Sequence, residues 1–321
     1  MEAFMNEENA IVMKNVVKNF KVLNRHEGLK GSLKDLFSHD YKTVTAVNNI
    51  SIDIKHGEIV GYLGPNGAGK STTIKMMTGV LEPTSGEILV NGNIPYKNRT
   101  KNAENIGVVF GQRSQLWWSL PLIESFKLLK EIYMIPDSNY NEMLDLYRSL
   151  ADIEGLLHKP VRQMSLGQRT LSDILAAFLH NPSIVFLDEP TIGLDVSMKA
   201  KIRDLIKGLN KEKNTTVILT THDMGDVDAL CRRIVIIDRG SMIYDNDIEH
   251  LKNYFGSYRT LRLNIDGTGW KEIVVDETKT DVMSVIAKYQ TSGGIKDIKL
   301  EEISTEEVIK KIYEAAAARS A

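Results

Sequence analysis

The chain has 321 residues, 42% of them hydrophobic and 26% charged, with a formal net charge of −2. That supplies a core for two domains, or for one large domain with an appendage, and excludes a bulk electrostatic pull toward nucleic acid or an acidic membrane. A single cysteine, Cys231, excludes an intrachain disulfide and suits a reducing compartment; within Asp228-Ala229-Leu230-Cys231-Arg232 it reads as a small buried residue rather than a nucleophile.

The opening Met1-Glu2-Ala3-Phe4-Met5-Asn6-Glu7-Glu8 lacks a basic start followed by an apolar stretch, so no signal peptide is expected. No apolar run approaches the roughly 18 to 20 residues that cross a bilayer, which predicts a soluble chain. Residues 11–17 predict a first strand leading to Phe20. A basic insert follows at 21–45, in which Leu29, Leu33, Leu36 and Phe37 fall at helical spacing. Such a short amphipathic helix either packs on its own domain or, through Lys30 and Lys34, meets a membrane surface or membrane partner. Residues 47–54 alternate like a half-buried strand.

Ile59-Val60-Gly61-Tyr62-Leu63 then predicts a buried strand, and a helix is expected over 70–80. Between them lies Gly64-Pro65-Asn66-Gly67-Ala68-Gly69-Lys70-Ser71-Thr72-Thr73. Strand, glycine loop, helix is the context of a phosphate-binding loop: glycines let successive N–H groups face one anion, and the helix start adds partial positive charge. Lys70 can reach β- and γ-phosphates, and the Ser71 hydroxyl can ligate Mg²⁺. The residues point to a nucleoside triphosphate.

Strands are expected at 87–91 and 106–110, then mostly helix from about 122 to 180. Strands and helices alternate afterwards: 184–187, a helix at 197–213, 216–219, a helix near 224–231, and 234–237. This order predicts a mostly parallel sheet covered by helices. From about 246 the pattern changes to strands at 259–265, 271–275 and 295–300, a helix at 281–290, and a last helix opened by the capping box Ser304-Thr305-Glu306-Glu307. Residues 246–321 thus read as a small α+β appendage, with Trp270 a candidate hairpin core residue and Glu314 to Ala321 a frayed helix end or scar.

Ile184-Val185-Phe186-Leu187 ends in Asp188 and Glu189. A buried strand can set Asp188 beside the phosphate loop to hold Mg²⁺, and leave Glu189 to polarise an attacking water. Met164-Ser165-Leu166-Gly167-Gln168 resembles the signature sequence of ATP-binding cassette (ABC) proteins; Gly193-Leu194-Asp195 is similar to their D-loop, Thr220-Thr221-His222-Asp223 to their switch histidine, and Gln112 to their Q-loop glutamine. In that family's order these motifs cover about residues 11–245.

The resemblance implies an α/β fold: a P-loop NTPase ABC ATPase domain over 1–245, with a mostly parallel sheet, an antiparallel β-subdomain and a helical subdomain at about 113–180. It implies ATP and Mg²⁺ as cofactors and a head-to-tail cassette dimer, or a related heterodimer. Gly64, Asn66, Gly67, Gly69, Lys70, Ser71 and Thr72 would bind nucleotide from one subunit, and Ser165, Gly167, Gln168 and Asp195 from the other. Glu189, His222 and Gln112 would be catalytic, with Ser71, Gln112 and Asp188 at the metal. The aromatic that stacks on adenine matches Phe20 by position, with Tyr41 as a second candidate.

Leu166 stands where a second glycine is commonest, and Thr170-Leu171-Ser172 where many relatives are more basic; neither change removes a phosphate-contacting group. Gln112-Arg113-Ser114-Gln115-Leu116-Trp117-Trp118-Ser119-Leu120-Pro121 and the insert are similar to ABC-2-type cassettes, the branch with viologen and drug exporters. That implies separate ABC-2-type permease subunits at the cytoplasmic face of the cell membrane, exporting drugs, hydrophobic cations, lipids or glycans. Trp117 and Trp118 either anchor a permease or pack inside the helical subdomain. The alternative is a soluble cassette acting on ribosomes or nucleic acid; a single phosphate loop, no sustained heptads between Lys70 and Gln168 and no net positive charge weigh against it.

Overall fold

The computed structural model describes residues 8–23, 41–111, 114–254, 256, 258–266, 269–290 and 294–320. The 29–37 helix expected in the basic insert and Gln112 lie outside them. The chain divides into two compact units, one ending at Ile243 and the other beginning at Tyr244.

The first unit opens with two long strands, β1 (Asn9–Leu23) and β2 (Tyr41–Lys55). Both exceed the expected 11–17 and 47–54, because they continue outward as an antiparallel ribbon through Phe20↔Val44 to Leu23↔Tyr41. A ribbon pairs its backbone without needing the apolar alternation by which strands are recognised. Next come β3 (Ile59–Leu63) and α1 (Lys70–Met77), which stops before the expected residue 80 at a turn through Gly79. Strand β4 (Ser85–Val90) joins β1 on the side opposite β2, giving a three-stranded antiparallel sheet. After α2 (Arg99–Ala103) and β5 (Ile106–Phe110), the helical region contains α3 (Leu122–Ile132), α4 (Asp137–Leu150), α5 (Glu154–Leu157) and α6 (Leu166–Phe178).

Alternation resumes with β6 (Ile184–Asp188), α7 (Val196–Lys213), β7 (Thr216–Thr220), α8 (Met224–Leu230) and β8 (Arg233–Asp238). A further strand that the sequence pattern does not reveal, β9 (Ser241–Asp247), follows a two-residue turn at Arg239 and Gly240, both at positive φ (46° and 80°). Two central residues at positive φ make the tight hairpin turn that suits strand twist. The second sheet runs β5-β6-β7-β3-β8-β9 and is parallel from β5 through β8. Its inner strands β3, β6 and β7 are almost wholly buried, as expected of a sheet covered on both faces. One core joins the two sheets through Ile11, Ile50, Tyr62, Phe186, Ile218 and Val235.

Strand β3 can turn into α1 only because Gly69 has no side chain. Its φ is 107°, and a Cβ there would stand 2.4 Å from the Ala46 carbonyl oxygen on β2.

The second unit contains α9 (Ile248–Tyr254), β10 (Tyr258–Ile265), β11 (Gly269–Asp276), α10 (Val282–Gln290), β12 (Ile295–Glu302) and α11 (Thr305–Ser320). Its antiparallel sheet has β10 between β11 and β12, with Leu261, Leu263, Ile265 and Val275 packed against Val282, Val285 and Ile286 of α10. The Ser304 box is formed: the Glu307 N–H donates to Ser304 Oγ, and the Ser304 N–H to Glu307 Oε2, both at 3.3 Å. Trp270 is a hairpin residue but not a core one; it is half-exposed, with the Lys299 ammonium 5.2 Å from its ring centre. Helix α11 runs to Ser320 instead of fraying at Glu314.

Gly69→Ala should destabilise the first unit by about 1–3 kcal/mol through forced strain. A urea midpoint equal to that of the wild type would show that the turn tolerates a side chain.

Candidate functional site

Parallel strands end at one edge, and the register makes that edge flush. Phe110, Asp188 and Thr220 stand in one row across β5, β6 and β7. On the far side of β7, Gly61 of β3 pairs with Leu219. The loops leaving the carboxyl ends of these strands are therefore brought together, the usual location of a site in an open α/β sheet.

From β3 springs the glycine loop. Gly67 has φ 82° and Gly69 φ 107°, so the chain curls before α1 starts at Lys70. Asn66 and Ser71 are exposed and Thr72 half-buried, whereas Thr73 is buried and ties α1 to β3 by accepting from the Tyr62 hydroxyl at 3.3 Å. Lys70 is buried, its Nζ donating to the carbonyls of Gly64 (2.5 Å) and Pro65 (3.1 Å) at the loop. Burial lowers its pKa, and the charges of Glu189 and Asp188 oppose that shift. Both acids thus act electrostatically on the loop lysine, the relation their position after β6 predicts.

Asp188 accepts a hydrogen bond from the Thr220 hydroxyl of the neighbouring strand. Glu189, one residue on, has φ 54°, and its N–H donates to the Thr220 carbonyl at 2.9 Å. That left-handed turn lifts its carboxylate off the sheet toward the β7 loop. There Glu189 Oε1 lies 3.4 Å from His222 Nε2, while the His222 N–H donates to Glu189 Oε2 at 3.4 Å. Burial raises the Glu189 pKa; His222 pulls it down, Asp188 adds to the rise, and Lys70 pulls it down. A half-buried carboxylate with raised proton affinity, steered by an adjacent histidine, is equipped to take a proton from water. Gly111, just before Gln112, donates its N–H to the Asp188 carbonyl at 3.0 Å.

The signature residues form a second cluster. Ser165 caps α6 in a reciprocal box with Gln168: the Gln168 N–H donates to Ser165 Oγ (3.3 Å) and the Ser165 N–H to Gln168 Oε1 (3.2 Å). Lys159 Nζ also donates to Gln168 Oε1, at 2.9 Å. Gln168 is therefore a cap as much as a ligand candidate. Gly167 lies so close to α7 that a Cβ would meet Met198 Cγ at 2.5 Å. Asp195 caps α7, accepting from the Met198 N–H at 3.0 Å. Signature and D-loop thus share one exposed edge, and none of the hydrogen bonds described for Ser165, Gln168 and Asp195 reaches the phosphate loop. Phe20 and Tyr41 both lie on the β1–β2 ribbon; Phe20 is half-buried with Lys18 Nζ 5.3 Å from its ring centre, and Tyr41 is exposed.

Comparison with known proteins agrees. Residues 47–192 match the "ABC transporter" family model. The ABC transporter ATP-binding protein NatA of Bacillus subtilis (strain 168) is 32% identical over 67% of this chain and 87% of its own length. The chain belongs to the ABC transporter ATP-binding proteins. Being an ABC cassette, it is an ATPase by family. ABC transporter A family member 1 of Dictyostelium discoideum is 37% identical over 71% of the chain, which spans 26% of that longer protein. Among solved structures, the ATP-binding cassette MJ0796, described as dimeric, post-hydrolysis and bound to ADP and Pi, has a TM-score of 0.59 and 27% identity over 74% of this chain and 98% of its own.

Two buried carboxylates of this ABC cassette escape sequence reasoning, since each reads as an ordinary polar residue on a helix. Asp226 of α8 accepts from the hydroxyls of Thr191 and Thr221 and from Arg203 Nε of α7 (2.7 Å). It therefore fixes the loop after Glu189, the loop carrying His222 and the D-loop helix against one another. Asp173 of α6 accepts from Ser114 Oγ (2.8 Å) and the Gln115 N–H (3.1 Å). Burial raises its pKa to about 6, against the pull of those bonds and of Arg169.

Because the folded value lies above the ordinary 3.8, the stabilising protonated form is fully present below pH ~4 and lost as pH rises through ~6. Asp173→Asn does not titrate. The stability of the wild type relative to Asp173→Asn should therefore fall by up to about 3 kcal/mol between pH 4 and pH 8 in urea denaturation. A pH-independent difference would show that Asp173 has an ordinary pKa.

Proposed function

We propose that this cassette hydrolyses ATP in a head-to-tail dimer and thereby drives separate permease subunits. The observation that carries the reading is the presence of two complementary half-sites on one chain. One is the phosphate loop with Asp188, Glu189 and His222; the other is the signature and D-loop edge, where Ser165 and Asp195 are exposed and Gly167 is buried against Met198.

In such a dimer the N–H groups of Asn66, Gly67, Gly69, Lys70, Ser71 and Thr72 and the Lys70 ammonium hold the phosphates from one side. The partner's α6 start, with Ser165 and Gly167, closes on the γ-phosphate from the other. Glu189 accepts a proton from the water that attacks γ-phosphorus. The bond to the bridging oxygen breaks, leaving ADP and inorganic phosphate. His222 orients Glu189, and Asp195 reaches across the interface. Mg²⁺ suits the donor set, a Ser71 hydroxyl and an Asp188 carboxylate completed by phosphates, water and Gln112, and when bound it supplies charge neutralisation. Phe20 stacks on adenine.

Among the described residues no helix is long and apolar enough to cross a membrane. In this reading separate permease subunits of ABC-2 type form the membrane path, with the cassettes at the cytoplasmic face. Trp117 and Trp118 support this: both are exposed, at 38% and 53%, not packed inside the helical region. Exposed paired tryptophans are strong anchors for a partner. Export of drugs, hydrophobic cations, lipids or glycans follows from the ABC-2 likeness.

Glu189→Gln should bind ATP yet lose at least about 100-fold in turnover, as general-base removal typically does, and shift to a dimer on size-exclusion chromatography with ATP. Adding Lys70→Ala should abolish the shift. Wild-type turnover in Glu189→Gln would remove Glu189 as base. Tagged Glu189→Gln with ATP and Mg²⁺ should retain a polytopic membrane protein from detergent-solubilised native membranes, identified by mass spectrometry. Ribosomes or nucleic-acid factors in its place would overturn the permease reading.

A further inference from the structure

The segment from Ser114 to Trp118 leaves the site edge and ends at the two exposed tryptophans. It is not held by its own turn alone. Ser114 Oγ and the Gln115 N–H both donate to Asp173 Oδ1, at 2.8 and 3.1 Å, and Gln115 Nε2 donates to the Asp173 carbonyl at 3.2 Å. The Leu116 N–H donates in turn to Ser114 Oγ at 3.2 Å, and the Leu116 side chain is buried. One helical turn earlier on α6, the Arg169 guanidinium lies 4.6 Å from the Trp118 ring centre. Positions i and i+4 share one face of a helix, so Arg169 and Asp173 form a single clamp. Four residues before Arg169, the same helix begins at Ser165 with its capping box.

We propose that Asp173 and Arg169 are positioning residues that couple the signature end of α6 to the exposed Trp117–Trp118 surface through the segment Ser114–Trp118. This rests on the reading that the signature meets nucleotide held by a second copy. Engagement of Ser165 moves a rigid helix, and the clamp, about one to two turns from the cap, carries that movement to the tryptophans. A neutral acceptor would hold the segment without burying a charge. The carboxylate adds two bonds from one oxygen and a field that orients Arg169, so both ends of the segment follow one helix face.

The chain has three tryptophans, so Trp270→Phe leaves emission from Trp117 and Trp118 alone. In Trp270→Phe/Glu189→Gln protein, ATP with Mg²⁺ should shift that emission and change its quenching by iodide. Asp173→Ala should lose the shift while binding ATP equally by equilibrium dialysis and dimerising equally. Asp173→Asn, which keeps the acceptor oxygen, should restore most of it, and Arg169→Lys should diminish it. If Asp173→Ala does not fold, Ser114→Ala is read in the same way. An unaltered shift in Asp173→Ala or Ser114→Ala, or a parent that binds ATP and dimerises with no change in emission, overturns the clamp alone. A parent that binds no ATP overturns the clamp together with the nucleotide reading beneath it.

Discussion

The parallel register of β5, β6, β7 and β3 is the constraint on which the site depends. Parallel hydrogen bonding aligns strand ends, so the row Phe110, Asp188, Thr220 fixes where four loops begin. A one-residue slip in β6 would turn Asp188 into the opposite face and move Glu189 away from His222. The apolar runs of these strands protect against that slip, because every residue from Ile184 to Leu187 is buried and has a fixed place to fill. The phosphate loop needs the same precision at β3, where the turn into α1 passes the Ala46 carbonyl with no room for a side chain.

Charge at this edge is balanced rather than concentrated. Burial lowers the Lys70 pKa and raises that of Glu189; each charge opposes the shift of the other, and His222 adds to the effect on Glu189. Behind this edge, Asp226 with Arg203, Thr191 and Thr221 holds two loops and the D-loop helix together without touching the phosphate-loop residues. Removing one member would leave a buried charge without its partner, which gives that network its rigidity.

The family's motifs were legible because each is local: a loop, a helix start or a strand end whose chemistry sits within a few adjacent residues. The capping box at Ser304 and the alternation that predicts a parallel sheet were legible for the same reason. The outer parts of β1 and β2 were not, since a projecting ribbon has no buried face to impose a pattern. Strand β9 was missed because its sequence, Ser241 to Asp247, is half polar and its pairing is set by the turn before it. Trp270 is by type only a candidate for the core, and β11 leaves it half-exposed beside Lys299.

By itself the sequence determined the chemistry, namely a phosphate loop, two acids and a signature in an order that only one family shares, because these groups act through neighbours in the chain. The tertiary structure decided how they are arranged. It alone faces Glu189 toward His222, puts Phe20 on a projecting ribbon, exposes Trp117 and Trp118, and buries Asp173 and Asp226 as anchors. The physical reason is that burial and long-range hydrogen bonding depend on which elements pack together, and a carboxylate on a polar helix face reads the same in sequence whether it meets water or a buried serine.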